Sequence, residues 1–191
     1  MKSILKVNLI LVLILSSASA QSFTDKGTVE IGGGITFSSI SAGGYQNSSY
    51  SVFTFNPYFG GMVTRGLELG ITPGFSGVDG AKKFDIFFAP SYNISTSTNV
   101  YPYFEFLIGY NSITDEGVST SGGLGIGGDA GIKVAISTSA LLVFVIQYLN
   151  QSYNFGQQTY SYYNQVELHN YTLNVFTLGV GFSYYLPAIT K

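Results

Sequence analysis

A set of acidic side chains and one lysine recurs at positions where the chain alternates bulky apolar residues with small or polar ones. The set consists of Glu30, Glu68, Asp85, Glu105, Asp129 and Lys133. Carboxylates that line a confined space attract cations, so one hypothesis is a path for cations or protons. The alternative is an internal polar network that holds neighbouring segments together. The choice between them depends on the elements that carry these residues.

The sequence contains no other motif of recognised chemistry. There is no cysteine, which excludes disulfides and cysteine-linked lipid anchors. Glycine runs at 32–34 and 127–128 lie inside alternating stretches with no helix pattern after them, which favours close packing over a phosphate-binding loop. Neither a metal-ligand spacing, a nucleophile motif nor a basic stripe for nucleic acid occurs. We therefore expect no cofactor, no metal and no nucleic-acid partner.

The stretch 67–76 shows most clearly which element carries the acidic residues. Leu67, Leu69 and Ile71 alternate there with Glu68 and Gly70. A period of two places one set on each face of a β-strand, so the acidic residues share a face with the small ones. In a barrel embedded in lipid, the bulky face points outward and the small and polar face points inward.

The composition and the N-terminal sequence indicate whether water or lipid surrounds these strands. Charged residues make up only 9% of the chain, against about 25% in an ordinary soluble domain. Lys2 and Lys6, an apolar run over 7–15 and the small residues at 18–20 predict a signal peptide over residues 1–20, followed by one domain over 21–191. No later stretch reaches the about 18 consecutive apolar residues of a spanning helix. A closed β-barrel is then the remaining structure in which every backbone N–H and C=O group is hydrogen-bonded in lipid.

The alternation predicts eight strands, over residues 28–38, 50–61, 67–76, 84–93, 103–110, 124–136, 141–150 and 176–186. The expected fold class is all-β: an eight-stranded antiparallel up-and-down transmembrane β-barrel. The side chains predicted to face lipid are Val29, Ile31, Phe53, Phe55, Leu67, Leu69, Ile71, Phe84, Ile86, Phe104, Phe106, Ile126, Ile132, Leu178, Val180 and Phe182. Phe87 and Leu107 fall on the inner face, where bulky side chains can fill a narrow barrel.

The segments between the strands differ in predicted length. Long polar loops are predicted after the first, third, fifth and seventh strands and short turns after the others, which is the asymmetry of outer-membrane barrels with their longer loops outside the cell. The longest predicted loop, over 152–168, is rich in tyrosine. We expect Tyr153, Tyr160, Tyr162 and Tyr163 to form an extracellular recognition surface. The alternative is that some of these tyrosines belong to an aromatic girdle at the lipid interface.

Residues 56–70, Asn-Pro-Tyr-Phe-Gly-Gly-Met-Val-Thr-Arg-Gly-Leu-Glu-Leu-Gly, resemble the second hairpin of small outer-membrane β-barrel proteins of the OmpA/OmpX-like group. Residues 101–106 are similar to the Pro-Phe opening of that group's fifth strand, and 124–133 to its Gly-alternating sixth. The resemblance implies an outer-membrane monomer that contacts outer-membrane lipids and is inserted by the barrel-assembly machinery. The chain departs from the group at its end, where residues 187–191 follow Leu186 in place of a terminal aromatic residue.

We expect a structural or surface-interacting role, with four loops displayed for adhesion, envelope integrity or contact with a host protein. One alternative is a narrow pore, although side chains normally fill an eight-stranded lumen, which favours the polar network. A second is a lipid-modifying enzyme, because His169 and Glu167 lie just before the eighth strand. A lone histidine at a loop edge is more often solvated, so we expect no enzymatic activity. A secreted soluble barrel that binds an apolar ligand is the third.

Overall fold

The computed structural model describes residues 23–42, 48–78, 81–114, 121–153 and 171–186. Its strands are β1 (Val29–Ala42), β2 (Ser48–Met62), β3 (Leu67–Val78), β4 (Ala81–Asn93), β5 (Val100–Thr114), β6 (Ser121–Ala135), β7 (Ala140–Tyr153) and β8 (Tyr171–Leu186). The predicted signal peptide lies outside the described residues, as do Tyr160, Tyr162, Tyr163, Glu167 and His169. No helix in the described ranges is long and apolar enough to cross a membrane.

The strands close into one antiparallel barrel in which each strand pairs with its neighbours in sequence and β1 pairs with β8. The predicted fold class is confirmed. Closure leaves no strand at an open edge, because every strand has a partner on both sides. Pairing runs along nearly the whole length of β1 with β2, from Val29 opposite Gly61 to Ala42 opposite Ser48.

The bulky side chains lie on the outside of this barrel. Every side chain that the sequence predicts to face lipid is exposed, with Ile71 at 49% and Phe104 at 61%. Aromatic rings meet across neighbouring strands on this surface, with the centroids of Phe37 and Phe53 5.2 Å apart. Phe87 and Leu107 are buried inside, as predicted. The outer wall is therefore an apolar surface with little charge.

At the mouth of the barrel where β3 ends and β4 begins, the strands extend further than the alternation predicts. The predicted loop over 77–82 is wrong, because Gly77 pairs with Lys82 and Val78 with Ala81. Only residues 79–80 separate β3 from β4, so the prediction of a long connection there is also wrong. Backbone pairing needs only N–H and C=O groups, so a hairpin continues past the point where side chains stop alternating. As a result Lys82 and Lys83 lie in β4, so β4 as well as β6 carries basic residues.

A segment before β1, residues 23–28, folds into one mouth of the barrel, which the sequence analysis does not predict. Its backbone bonds to the β2–β3 turn: Gly27 N donates to Met62 O at 2.7 Å, and Gly66 N donates to Thr24 O at 2.8 Å. Gly27 has a φ of 86°, in the left-handed region that favours glycine. We call residues 23–28 the strap.

Candidate functional site

A buried ion cluster in the barrel interior lies next to the strap. Lys133 Nζ donates to Glu30 Oε2 at 2.7 Å and to Glu68 Oε2 at 3.1 Å. All three side chains are buried, with Lys133 4% exposed. Because these residues come from β6, β1 and β3, the cluster ties together strands that are distant around the barrel.

Further polar groups donate hydrogen bonds to both carboxylates. Ser183 Oγ donates to Glu30 Oε1 at 2.7 Å. Glu68 Oε2 also accepts from Ser91 Oγ at 3.2 Å and from Asn93 Nδ2 at 3.1 Å. A buried charge is tolerated when it is paired and its remaining lone pairs are hydrogen-bonded. The two carboxylates and one ammonium leave the cluster with one net negative charge when all are ionised.

Three aromatic rings surround the ammonium of Lys133. Its Nζ lies 4.9 Å from the ring centroid of Phe23, 5.1 Å from that of Tyr103 and 5.6 Å from that of Tyr58. Cations within about 6 Å of a ring face are attracted by its quadrupole, and the attraction grows when water is excluded. The rings therefore hold the lysine in the lumen and fill the space beside it.

A row of inward-facing polar residues crosses seven strands in continuous register. Each member pairs with the next across a strand boundary: Glu68, Ser91, Glu105, Asp129, Gln147, Thr177 and Ser38. Glu105 and Asp129 are direct neighbours in this row and line the internal cavity. The row ends between β8 and β1, where the hydroxyls of Thr177 and Ser38 are 2.8 Å apart. The acidic residues predicted to share a face thus meet inside the barrel.

A second ion pair lies nearer the opposite mouth. Lys83 Nζ is 2.9 Å from Asp85 Oδ2, and the Asp85 side chain is buried. Tyr153 lies at the same end, and the prediction that it is an exposed loop residue is wrong. It ends β7, is 3% exposed, and its hydroxyl donates to Gln151 Oε1 at 3.2 Å. Pairing of β7 with β8 continues to Tyr153 and turns this side chain into the lumen.

Apolar side chains occupy part of the lumen and narrow it. Phe87, Leu107, Leu149 and Val175 form a buried cluster against one wall, and Tyr58 packs on it. The remaining internal cavity has a volume of about 120 Å³. An ion crossing the barrel would have to pass the cluster around Lys133 and the strap. This arrangement suits a cross-bracing polar core better than a path for cations.

The structure places all six predicted interior residues inside the barrel. Glu30, Glu68, Lys133 and Asp85 form ion pairs, and Glu68 is also a member of the polar row, with Glu105 and Asp129. Sequence reasoning missed the strap and the contribution of Lys83. Alternation marks which residues face inward, but it carries no information on which of them meet across the lumen. No signal in residues 23–28 marks their docking, because the segment has no periodicity.

Comparison with known proteins supports the architecture. A scan against protein-family models finds no match, and neither does a search of curated proteins. Neisserial surface protein A superposes with a TM-score of 0.64 at 15% identity, covering 83% of this chain and 99% of that one. The N-terminal β-barrel domain of OprF from Pseudomonas aeruginosa gives a TM-score of 0.55 at 14% identity, with coverages of 84% and 98%. Ail of Yersinia pestis gives 0.51 at 14% identity, with coverages of 84% and 99%. The chain has the fold of the small eight-stranded outer-membrane β-barrels.

Proposed function

We propose that this chain is a monomeric outer-membrane protein whose barrel is a lipid-embedded scaffold for surface interaction. The observation that carries the proposal is the inverted distribution of side chains: bulky apolar residues outside, and charged, polar and glycine residues inside. The fold shared with outer-membrane barrels supports the same location.

The apolar exterior argues against the alternative of a secreted soluble barrel. Burying one Val, Leu, Ile or Phe side chain stabilises a protein by about 1.5–3 kcal/mol. Leaving the many half-exposed side chains of this wall in water would therefore cost on the order of tens of kcal/mol. That exceeds the about 5–15 kcal/mol net stability of an ordinary domain. Lipid removes this cost because it solvates the same surface.

Membrane fractionation tests the location. After lysis without detergent, the protein is expected to sediment with outer membranes and to migrate faster on a gel when unheated than when boiled. Recovery in the soluble fraction would contradict the membrane proposal and favour the secreted barrel.

The proposed surface role rests on the connections at the mouth opposite the strap. Residues 154–170 separate β7 from β8 and include Tyr160, Tyr162 and Tyr163. Tyrosine among small polar residues provides a large, rigid contact area at low entropic cost. Two proteins of the same fold bear names that refer to surface exposure and attachment, Neisserial surface protein A and the attachment invasion locus protein Ail. We assign this chain a comparable role in adhesion or envelope integrity.

Loop substitutions test the surface role. We expect the combined Tyr160→Ser, Tyr162→Ser and Tyr163→Ser variant to reduce binding of expressing cells to host-cell or matrix surfaces while inserting normally into the outer membrane. Thr64→Ala, an exposed position in the turn beside the strap, serves as the control and should bind as the parent does. Equal binding by the triple variant and the parent would refute a role for these tyrosines.

The proposal assigns the chain no catalytic activity. His169→Ala should leave the mass spectrum of lipid A unchanged in cells that express the protein, whereas a lost modification would reinstate the enzyme alternative. Contact with the barrel-assembly machinery during insertion is part of the same proposal. Depletion of that machinery should prevent the heat-modifiable form from accumulating.

A further inference from the structure

Three polar side chains form a hydrogen-bonded group on the outside of the barrel, where β7 and β8 approach the mouth opposite the strap. Asn174 Oδ1 accepts hydrogen bonds from the hydroxyl of Tyr148 at 3.0 Å and from Asn150 Nδ2 at 2.8 Å. Asn150 and Asn174 are direct neighbours across the two strands. All three side chains are exposed. We call Tyr148, Asn150 and Asn174 the amide patch.

The amide patch lies where the apolar outer surface ends. Along β7, the outward side chains of Phe144 and Ile146 are exposed and apolar, and the polar positions begin immediately beyond them. Along β8 the same change occurs between Phe176, which pairs with Tyr148, and Asn174. In a membrane this level is the boundary between hydrocarbon and headgroups, where tyrosine is typical because its ring is apolar and its hydroxyl polar. A lipid packed on the apolar part of these strands would hold its headgroup at the patch.

The chemistry of the patch suits a sugar. The bond between the two amides engages Asn150 Nδ2 and Asn174 Oδ1, so Asn150 Oδ1 and Asn174 Nδ2 are not used within the patch. The first is an acceptor and the second a donor, and neighbouring sugar hydroxyls can bond to both because each hydroxyl donates and accepts. The ring of Tyr148, which is 53% exposed, offers an apolar face to the C–H groups of the sugar. The bonds within the patch fix the amides in advance, which lowers the entropic cost of binding.

The absence of charge in the patch argues against a phosphate headgroup, which lysine and arginine bind best. Lys82 is exposed at the same mouth, but it belongs to β4, on the opposite side of the closed barrel from β8. A soluble sugar would contact the patch alone. A glycolipid would in addition pack its acyl chains on the apolar wall beside Phe176, which favours a ligand held in the membrane.

We propose that the amide patch binds the sugar headgroup of a membrane glycolipid whose acyl chains pack on the outer faces of β7 and β8. The inference rests on the proposed location in a membrane and names one class of lipid as a partner. It is independent of what the tyrosines of 154–170 bind.

Lipid retention by the refolded protein tests the patch. The protein is inserted into phosphatidylcholine vesicles that contain equal minor amounts of a monoglycosyl diacylglycerol and of phosphatidylglycerol with the same acyl chains. It is then extracted in mild detergent, and its bound lipids are identified by native mass spectrometry. We expect the glycolipid to be retained in preference to phosphatidylglycerol. The combined Asn150→Ala and Asn174→Ala variant should retain about tenfold less glycolipid, because it loses two hydrogen bonds to the sugar.

Ser51→Ala is the matched control, since Ser51 is an exposed polar residue at the same end of the outer wall, in β2, and its loss should leave glycolipid retention unchanged. Heat-modifiable migration checks that each protein is inserted. A parent protein that fails to insert would refute the membrane placement and this inference with it. Normal insertion with equal retention of the two lipids, or with equal glycolipid retention by the asparagine variant and the Ser51→Ala variant, would overturn the inference alone. Displacement of the glycolipid by an equal amount of the soluble monosaccharide would also overturn it, because the patch would then be a site for free sugars.

Discussion

At the scale of single residues, the barrel interior depends on the ion pairs that Lys133 makes. Lys133 serves two carboxylates, so its removal leaves Glu30 and Glu68 facing each other across the lumen without a counter-charge. This differs from an exposed ion pair, which contributes little because water screens it. The lysine is therefore the position at which the polar core is most sensitive to substitution.

Lys133→Met should destabilise the folded barrel by about 3–5 kcal/mol, because breaking a buried pair leaves an uncompensated charge. Equilibrium unfolding by urea in phospholipid vesicles measures the difference. Lys82→Met is the control, since Lys82 is exposed and should change stability by no more than about 0.5 kcal/mol. Adding Glu30→Gln and Glu68→Gln to Lys133→Met should recover much of the loss. Similar stabilities for the two lysine variants would show that the cluster does not brace the barrel.

At the scale of strands, arginine substitutions on the outer wall test whether β3 spans the lipid bilayer. Ile71 lies in the middle of the outward set of β3, and Leu67 lies at its end. Ile71→Arg should cost about 2–4 kcal/mol of folding free energy in vesicles, and Leu67→Arg about 0–1 kcal/mol, because the cost of a charge falls from the bilayer midplane to the interface. Equal costs at the two positions would place the membrane boundary elsewhere.

The ladder between β2 and β3 is interrupted. Phe55 pairs with Phe75 and Phe59 with Ile71, but no pairs form between, where the same register sets Pro57 opposite Pro73. Proline cannot donate to a ladder. The hydroxyl of Thr72 donates to Pro57 O instead, at 3.1 Å. A shorter interruption occurs in the β4–β5 ladder, at Ala89 and Pro90. We expect the wider one between β2 and β3, which we call the seam, to be the weakest part of the wall.

Hydrogen exchange followed by NMR should show the seam directly. The amides of Phe59 and Ile71, which flank the interruption, should exchange faster than the amides of β1 in the uninterrupted β1–β2 pair, which serve as the internal reference. Pro73→Val supplies the missing N–H and should slow exchange there, since one hydrogen bond contributes about 0.5–1.5 kcal/mol. Uniform protection around the barrel would contradict a weak seam.

The strands are the part of the fold that the sequence predicts best. Alternation depends on the two faces of each strand, so 67–76 and 124–136 identify both the element and its orientation. Strand ends are predicted less well, because Gly77 and Lys82 pair through their backbones without any pattern in their side chains. The interior contacts are not predictable from alternation at all, because the meeting of Lys133 with Glu30 and Glu68 depends on register and stagger around a closed barrel.

At the scale of the whole molecule, the two mouths of the barrel are chemically different. The strap, Phe23 and the ion cluster close one, where the turns 63–66, 94–99 and 136–139 connect the strands. The other carries the connection of residues 154–170. Small outer-membrane barrels place short turns in the periplasm and longer loops outside the cell. The strap should then face the periplasm, and the tyrosine-rich connection should face the surroundings.

Orientation can be measured in intact cells, because any introduced thiol is unique in this chain. Thr114→Cys marks the end of β5 at the mouth opposite the strap, and Ser97→Cys marks an exposed turn beside the strap. A membrane-impermeant thiol reagent should label position 114 on intact cells, and position 97 only after the outer membrane is permeabilised. The reverse pattern would place the strap outside the cell. The tyrosines of 154–170 would then have no host surface to meet.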